Sequence, residues 1–167
     1  MQGVVASLHV HPLVAGDPFI DVMEFNLVAE KGIIEDKRYF GRVRNGKPAK
    51  RQVTLIEREV IDRHAGALGV DLDPGSVRSN IETTGLDLIS LIGQQVQIGE
   101  AVLLFVEPRT PCHKMDALAQ GLRELMENSR QGVIARVVKS GRVLPGDRLM
   151  PIGRIEQCAS EPRCETS

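Results

Sequence analysis

What most limits the fold of this chain is how soon each apolar run is cut off. "GVVASLHV" (3–10), "FIDVMEFNLVAE" (19–30), "QVTLI" (52–56) and "NIETTG" (80–85) are short, extended-looking segments between turn signals. "QQVQIGEAVLLFVE" (94–107) carries two strands around a Gly-Glu turn, and "GVIARVV" (132–138) and "DRLMPIGRIE" (147–156) follow. β-branched residues crowd these runs, and Gly, Pro and Asn separate them, which is strand-and-turn chemistry. In the first strand Val4, Ala6 and Leu8 are expected on one face. Helical spacing is confined to two places. Ile56, Val60, Ile61, His64 and Leu68 form one stripe, ended by Gly66 and Gly69. Met115, Leu118, Ala119, Leu122, Leu125 and Met126 form a second, which predicts one continuous helix. "LDLISLIG" (86–93) reads as a turn of helix or a tight corner, and residues 35–51 as mostly loop.

The expectation is a mainly β fold, a sandwich or closed barrel of roughly seven to nine short strands with two or three helices. One domain is expected over residues 1–157, with 158–167 as a flexible tail. Aromatics make up 3% of the 167 residues and Trp is absent, so the core must be aliphatic. A net charge of −1 gives no global pull toward nucleic acid or an anionic membrane. No apolar run nears the ~20 residues that span a bilayer, and "MQGVVASLHVHP" lacks the pattern of a signal peptide. The three cysteines, Cys112, Cys158 and Cys164, are too few and odd for a disulfide framework, so a reducing cytoplasm is expected.

Three features carry chemistry. In "RTPCHKMD" (109–116) Cys112 lies between a strand and an expected helix start, with Arg109, His113 and Lys114 beside it. Helix ends and cations favour a thiolate, which attacks electrophiles, carries sulfur or binds soft metals. The alternative is a cysteine acting as a small hydrophobe. Second, Lys37, Arg38, Arg42, Arg44, Lys47, Lys50 and Arg51 are uninterrupted by any acid. They suit an oxyanion, with Tyr39 and Phe40 placed to stack on a ring, or else they form a solvated loop. Third, Arg78 and Asn80 are two apart in "SVRSN", so on an extended segment they would face one way; ordinary turn chemistry after Pro74-Gly75 is the alternative. His9 and His11 share a strand face but lack further ligands at zinc spacing. His64 lies on an apolar helix face, as a core residue would.

Together, "GIIEDKRYFG", "RQVTLIE", "SVRSNIETTGLDLISLIGQQVQIGEAVLLFVEPRTPCHKMD" and "GVIARVVKSGRVLPGDRLM" resemble the MOSC family, named after the C-terminal domain of molybdenum-cofactor sulfurases. The resemblance covers about residues 3–155. It implies a mixed β-barrel with peripheral helices. It implies that Cys112 either ligates molybdenum or carries a persulfide, and that the function is cofactor binding, sulfur carriage or reduction of N-hydroxylated compounds. A non-catalytic carrier that delivers sulfur or cofactor to an enzyme is the alternative. By the same match Arg78, Asn80, Arg38, Arg51, Arg109 and Thr110 would line a molybdopterin site. The family has a weaker association with pyridoxal phosphate. No ferredoxin cysteines or flavin motif occur, so an electron-transfer or sulfur-donor protein is the expected partner. Glu35 stands where the family commonly has Gly, which implies a less close backbone approach to a ligand there.

Overall fold

The computed structural model describes residues 2–154. Met1 and residues 155–167, including Cys158, Cys164 and the expected tail, lie outside the described residues. The elements run β1 (Gly3–Val10), β2 (Ile20–Val22), β3 (Phe25–Val28), β4 (Gly32–Ile33), β5 (Val43–Arg44), β6 (Lys47–Pro48) and β7 (Val53–Glu57). Then come α1 (Arg58–Leu68), β8 (Ile81–Thr84), a 3-10 turn at Ile89–Leu91, β9 (Gln94–Ile98) and β10 (Ala101–Pro108). Two short helices, α2 (Lys114–Leu118) and α3 (Leu122–Met126), precede β11 (Val133–Lys139), β12 (Gly141–Val143) and β13 (Arg148–Arg154).

Seven strands close into a barrel in the order β1-β8-β7-β11-β10-β9-β13. The ring is sealed where Gly3 pairs with Leu149 and Val4 with Arg148. Closure leaves no barrel strand with an unpaired edge, the usual hazard of a sheet. Every barrel pairing is antiparallel except β7 with β8, where Leu55 meets Ile81. That parallel pair needs a crossover, and α1 supplies it. The bore is filled, not open: Leu8, Leu55, Ile81, Ile98, Leu103 and Phe105 are buried there among other aliphatics. A second apolar cluster joins Ile56, Ile61 and Ala65 to Met115, Leu122 and Met126, so α1, α2 and α3 pack together outside the barrel. β12, β3 and β4 form a small separate sheet, and β5–β6 a hairpin within the basic loop.

Two local expectations are corrected. In β1 the register against β8 slips between Val5 and Ser7, a β-bulge. The extra residue changes the phase, so Val5 and Leu8 turn inward and Ala6 is exposed. The single helix expected over 115–126 is two helices. Ala119 is extended and Gly121 takes φ +90°. The Asp116 carboxylate accepts the N–H groups of Gly121 (3.2 Å) and Arg123 (3.1 Å), which starts the second helix afresh. A short acidic side chain competing for backbone donors is a local cause that the apolar stripe does not reveal. The Glu35 carboxylate accepts both the backbone N–H and the side-chain amide of Asn26.

Gly132 has the tightest surroundings in the barrel wall. It has φ +75°, and a Cβ there would collide with the Leu55 carbonyl and lie 2.8 Å from the Ile56 Cα. Gly146, at φ +89°, has open space around it. Gly132→Ala is expected to lose at least ~3 kcal/mol in urea unfolding. Gly146→Ala is expected to lose only the left-handed backbone cost, about 1–2 kcal/mol.

Candidate functional site

The polar centre of the molecule begins at Asn80, which is 3% exposed. Its Oδ1 accepts the Thr54 backbone N–H (3.1 Å) and hydroxyl (3.0 Å). Its Nδ2 donates to the His9 carbonyl (3.1 Å) and to Asp36 Oδ2 (3.0 Å). The same Asp36 oxygen faces His11 Nδ1 at 2.7 Å. Residues from β7, the start of β8, the exit of β1 and the loop after β4 are thereby joined at one carboxylate. Asp36 Oδ1 is buried with no hydrogen-bond partner among the described residues.

Around His11 the side chains are layered. Its ring lies 4.3 Å from the ring of Phe19 and 4.3 Å from that of Tyr39. The Arg78 guanidinium covers Phe19 at 4.8 Å, and Arg42 covers Tyr39 at 4.4 Å, with Arg51 at 5.4 Å. Aromatic faces attract guanidinium groups, so the rings bind the cations to the rim. Burial pushes His11 below its ordinary pKa and outweighs the opposing Asp36; Arg51 and Arg78 push it the same way as burial. Burial alone would raise Asp36, but the hydrogen bond and charge of His11, with the Asn80 amide, hold it below the usual carboxylate range.

Arg109 follows β10, where its N–H donates to the Gly132 carbonyl (2.9 Å). Its side chain is turned inward: the residue is 8% exposed, and Nη1 has no partner among the described residues. Burial pushes its pKa down to about 9, with Arg51 and Arg78 adding to the shift and Cys112 and Tyr39 opposing it. Arg109 is therefore still a cation at neutral pH, buried without a salt-bridge partner among the described residues.

The sequence-derived residues fall into distinct positions. Arg51, Arg78 and Cys112 lie within electrostatic range of the buried Arg109 guanidinium. Cys112 is exposed and reduced. The helix expected after it is one turn of five residues, so the long-helix dipole expected at this junction is not there. Thr110 is exposed beside Arg109. Arg38 is exposed; its carbonyl accepts Arg42 Nε (2.8 Å), and its side chain borders a 430 Å³ cavity shared with His11. Arg78 has φ +61°, so a turn, not an extended segment, brings it and Asn80 together. Asn80 meets the site through Asp36, its own polar groups being used internally. His9 and His11 belong to separate networks, His9 facing Asp21 (2.7 Å) and Ser7 (2.7 Å). His64 is buried against the Arg130 carbonyl (3.1 Å), as a core histidine.

Sequence reasoning missed the His11–Asp36 pair and Phe19. His11 was visible only as half of a His-x-His spacing, and Asp36 lies 25 residues away in what reads as basic loop. Tyr39, expected to stack on a ligand's ring, lies tilted at 38° against His11.

A filled, closed, mixed barrel whose polar groups lie on its connecting loops is one class of fold. The sequence matches the MOSC domain over residues 29–150, and the chain belongs to that family. Solved structures agree at the level of fold. YuaD from Bacillus subtilis is 20% identical with a TM-score of 0.73, the match covering 89% of this chain and 94% of that one. YiiM from Escherichia coli is 22% identical (TM-score 0.65; 93% and 72% covered). YiiM from Geobacillus stearothermophilus is 17% identical (TM-score 0.68; 90% and 75% covered). No curated protein matches the sequence. Among the described residues no helix is long and apolar enough to cross a membrane.

The two shifts at the Asp36–His11 pair have the same sign for stability. Asp36 is held ionised by the fold, so its contribution is present above the ordinary carboxylate range and lost as pH falls through its lowered pKa. His11 is held neutral, so acid below 6.5 protonates the unfolded chain first and also weakens the fold. Glu57, raised by burial, acts in the opposite direction. The thermal midpoint is expected to fall on acidification from neutral pH, and the fall to flatten in His11→Gln/Asp36→Asn.

Proposed function

We propose that this MOSC domain binds a phosphate-bearing, soft-metal cofactor of the molybdopterin type at the Arg109 cluster. Cys112 serves there as metal ligand or as persulfide carrier, and N-hydroxylated compounds are reduced with electrons from an external protein. The observation that carries the reading is Arg109: a buried guanidinium with an unpartnered nitrogen, in the company of Arg51 and Arg78. A buried charge without a counterion costs several kcal/mol, and an anion arriving there removes that cost. The planar fork suits phosphate oxygens, and two further arginines suit a doubly charged group.

The donor set fits such a group. Arg109, Arg51 and Arg78 would hold the phosphate, and the exposed Cys112 thiol would supply the soft ligand. When bound, the metal centre would supply two-electron redox chemistry. The chain's own contribution is to hold the anion, present the thiol, and keep the cationic rim in place through Phe19 and Tyr39.

The exposure of Cys112 supports a second reading, a carrier without turnover. A partner's persulfide would pass its outer sulfur to the Cys112 thiolate. The donor S–S bond breaks, a new S–S bond forms on Cys112, and the donor leaves as a thiolate.

Elemental and intact-mass analysis of protein purified from a host that makes molybdenum cofactor tests both. Stoichiometric molybdenum, lost in Cys112→Ala and reduced in Arg109→Met, is the expected result, together with reduction of a hydroxylamine or amidoxime when a reductase is supplied. One added sulfur on Cys112 without molybdenum selects the carrier. Neither species on the wild-type protein overturns both readings.

A further inference from the structure

We infer that His11 is the acid–base residue of this site and Asp36 its positioning partner. The inference rests on the reading that a small N-hydroxylated molecule reacts here, and it adds where the proton comes from.

The pair is built like a histidine prepared for proton transfer. The Asp36 carboxylate lies 2.7 Å from Nδ1 and accepts its hydrogen, so the ring's lone pair is on Nε2. Nε2 has no partner among the described residues, while the side chain as a whole is only 8% exposed. The ring borders the 430 Å³ cavity, whose walls include Pro12, Leu13 and Ile20, with Glu35, Lys37 and Arg38 as its charged groups. Asp36 cannot turn away, because Asn80 holds the same oxygen at 3.0 Å. Phe19 and Tyr39 both pack against the ring, each with its centroid 4.3 Å away. A fixed tautomer and an unpartnered nitrogen beside a cavity serve proton transfer; His9, by contrast, has partners at both ring nitrogens.

The unpartnered Asp36 Oδ1 is a second, independent sign of a ligand. It is a buried acceptor next to the same ring, and a hydroxyl or amine hydrogen on a bound molecule would satisfy it. Charges acting on His11 come from Asp36, which favours the imidazolium, and from Arg51 and Arg78, which oppose it. The balance leaves the ring neutral at rest and makes its protonated form readier than an ordinary imidazolium to give up its proton.

The step balances as R–NH–OH + 2 e⁻ + 2 H⁺ → R–NH₂ + H₂O. The N–O bond breaks and takes two electrons, supplied by the external reductase. Protonated His11 gives its Nε2 proton to the leaving hydroxyl oxygen, which departs as water. Solvent returns a proton to Nε2 and supplies the one that finishes the amine.

The test joins an activity with a spectrum. Imidazole ¹⁵N NMR of the protein without cofactor is expected to show His11 as the Nδ1–H tautomer, titrating below 6.5. Asp36→Asn is expected to mix the tautomers. In cofactor-loaded protein, His11→Gln is expected to keep its molybdenum and KM while kcat for a hydroxylamine falls roughly a hundredfold. The wild-type kcat is expected to decline as pH rises, since the imidazolium must form. An Nε2–H tautomer, an unchanged kcat, or parallel loss of molybdenum in His11→Gln overturns the assignment. A wild-type protein that holds cofactor but reduces nothing overturns the reductase reading instead. The tautomer and the reaction of Nε2 with diethyl pyrocarbonate then decide for His11: an Nδ1–H ring that reacts supports it, and an unreactive or Nε2–H ring overturns it.

Discussion

One buried amide organises the functional half of this protein. Asn80 uses both its acceptor and its donors on Thr54, His9 and Asp36, and so fixes where the loop after β4 meets the barrel. Asp36, held there, fixes His11; His11 orders Phe19 and Tyr39; those rings carry Arg78, Arg42 and Arg51. Each contact is a modest one, near 1 kcal/mol for a hydrogen bond of this kind. Their effect comes from order: every layer is positioned by the one beneath it. Asn80 itself is fully satisfied, and the one open acceptor of the network among the described residues is Asp36 Oδ1.

The charge arrangement follows a different logic. Arg58 is paired with the buried Glu82 (3.0 Å) and Lys50 with Glu107 (2.9 Å). The buried Arg109 has no such pairing among the described residues, and the Asp36 carboxylate is already committed to His11 and Asn80. The fold thus tolerates an electrostatic deficit at Arg109. Such a deficit is a common property of binding sites, where stability is exchanged for affinity.

Much of the barrel was legible because its strands obey a short-range rule: β-branched runs between turn residues. "QVTLI", "NIETTG" and "GVIARVV" appear where they were read, and α1 follows its stripe. The failures were all caused by groups acting across the pattern. A bulge in β1 changed which residues face inward, and Asp116 divided a helix whose apolar periodicity is continuous. At the site the cations could be read one by one, but their company could not. Whether Arg109 lies among Arg51 and Arg78, or Asp36 beneath His11, depends on contacts 25 to 58 residues apart along the chain. A histidine and an aspartate at that separation carry no local signature.

The seal between β1 and β13 also has a consequence in time. Gly3 must find Leu149, almost the full described length away, before the last barrel wall exists. During synthesis the first strand emerges early and waits for a partner not yet made, with β8 as its interim neighbour. Long-range pairings of this kind must overcome loop-closure entropy before they are rewarded, which makes folding slow relative to helical proteins of the same size. The nascent chain therefore passes through a stage with exposed strand edges, which lasts until β13 has been made.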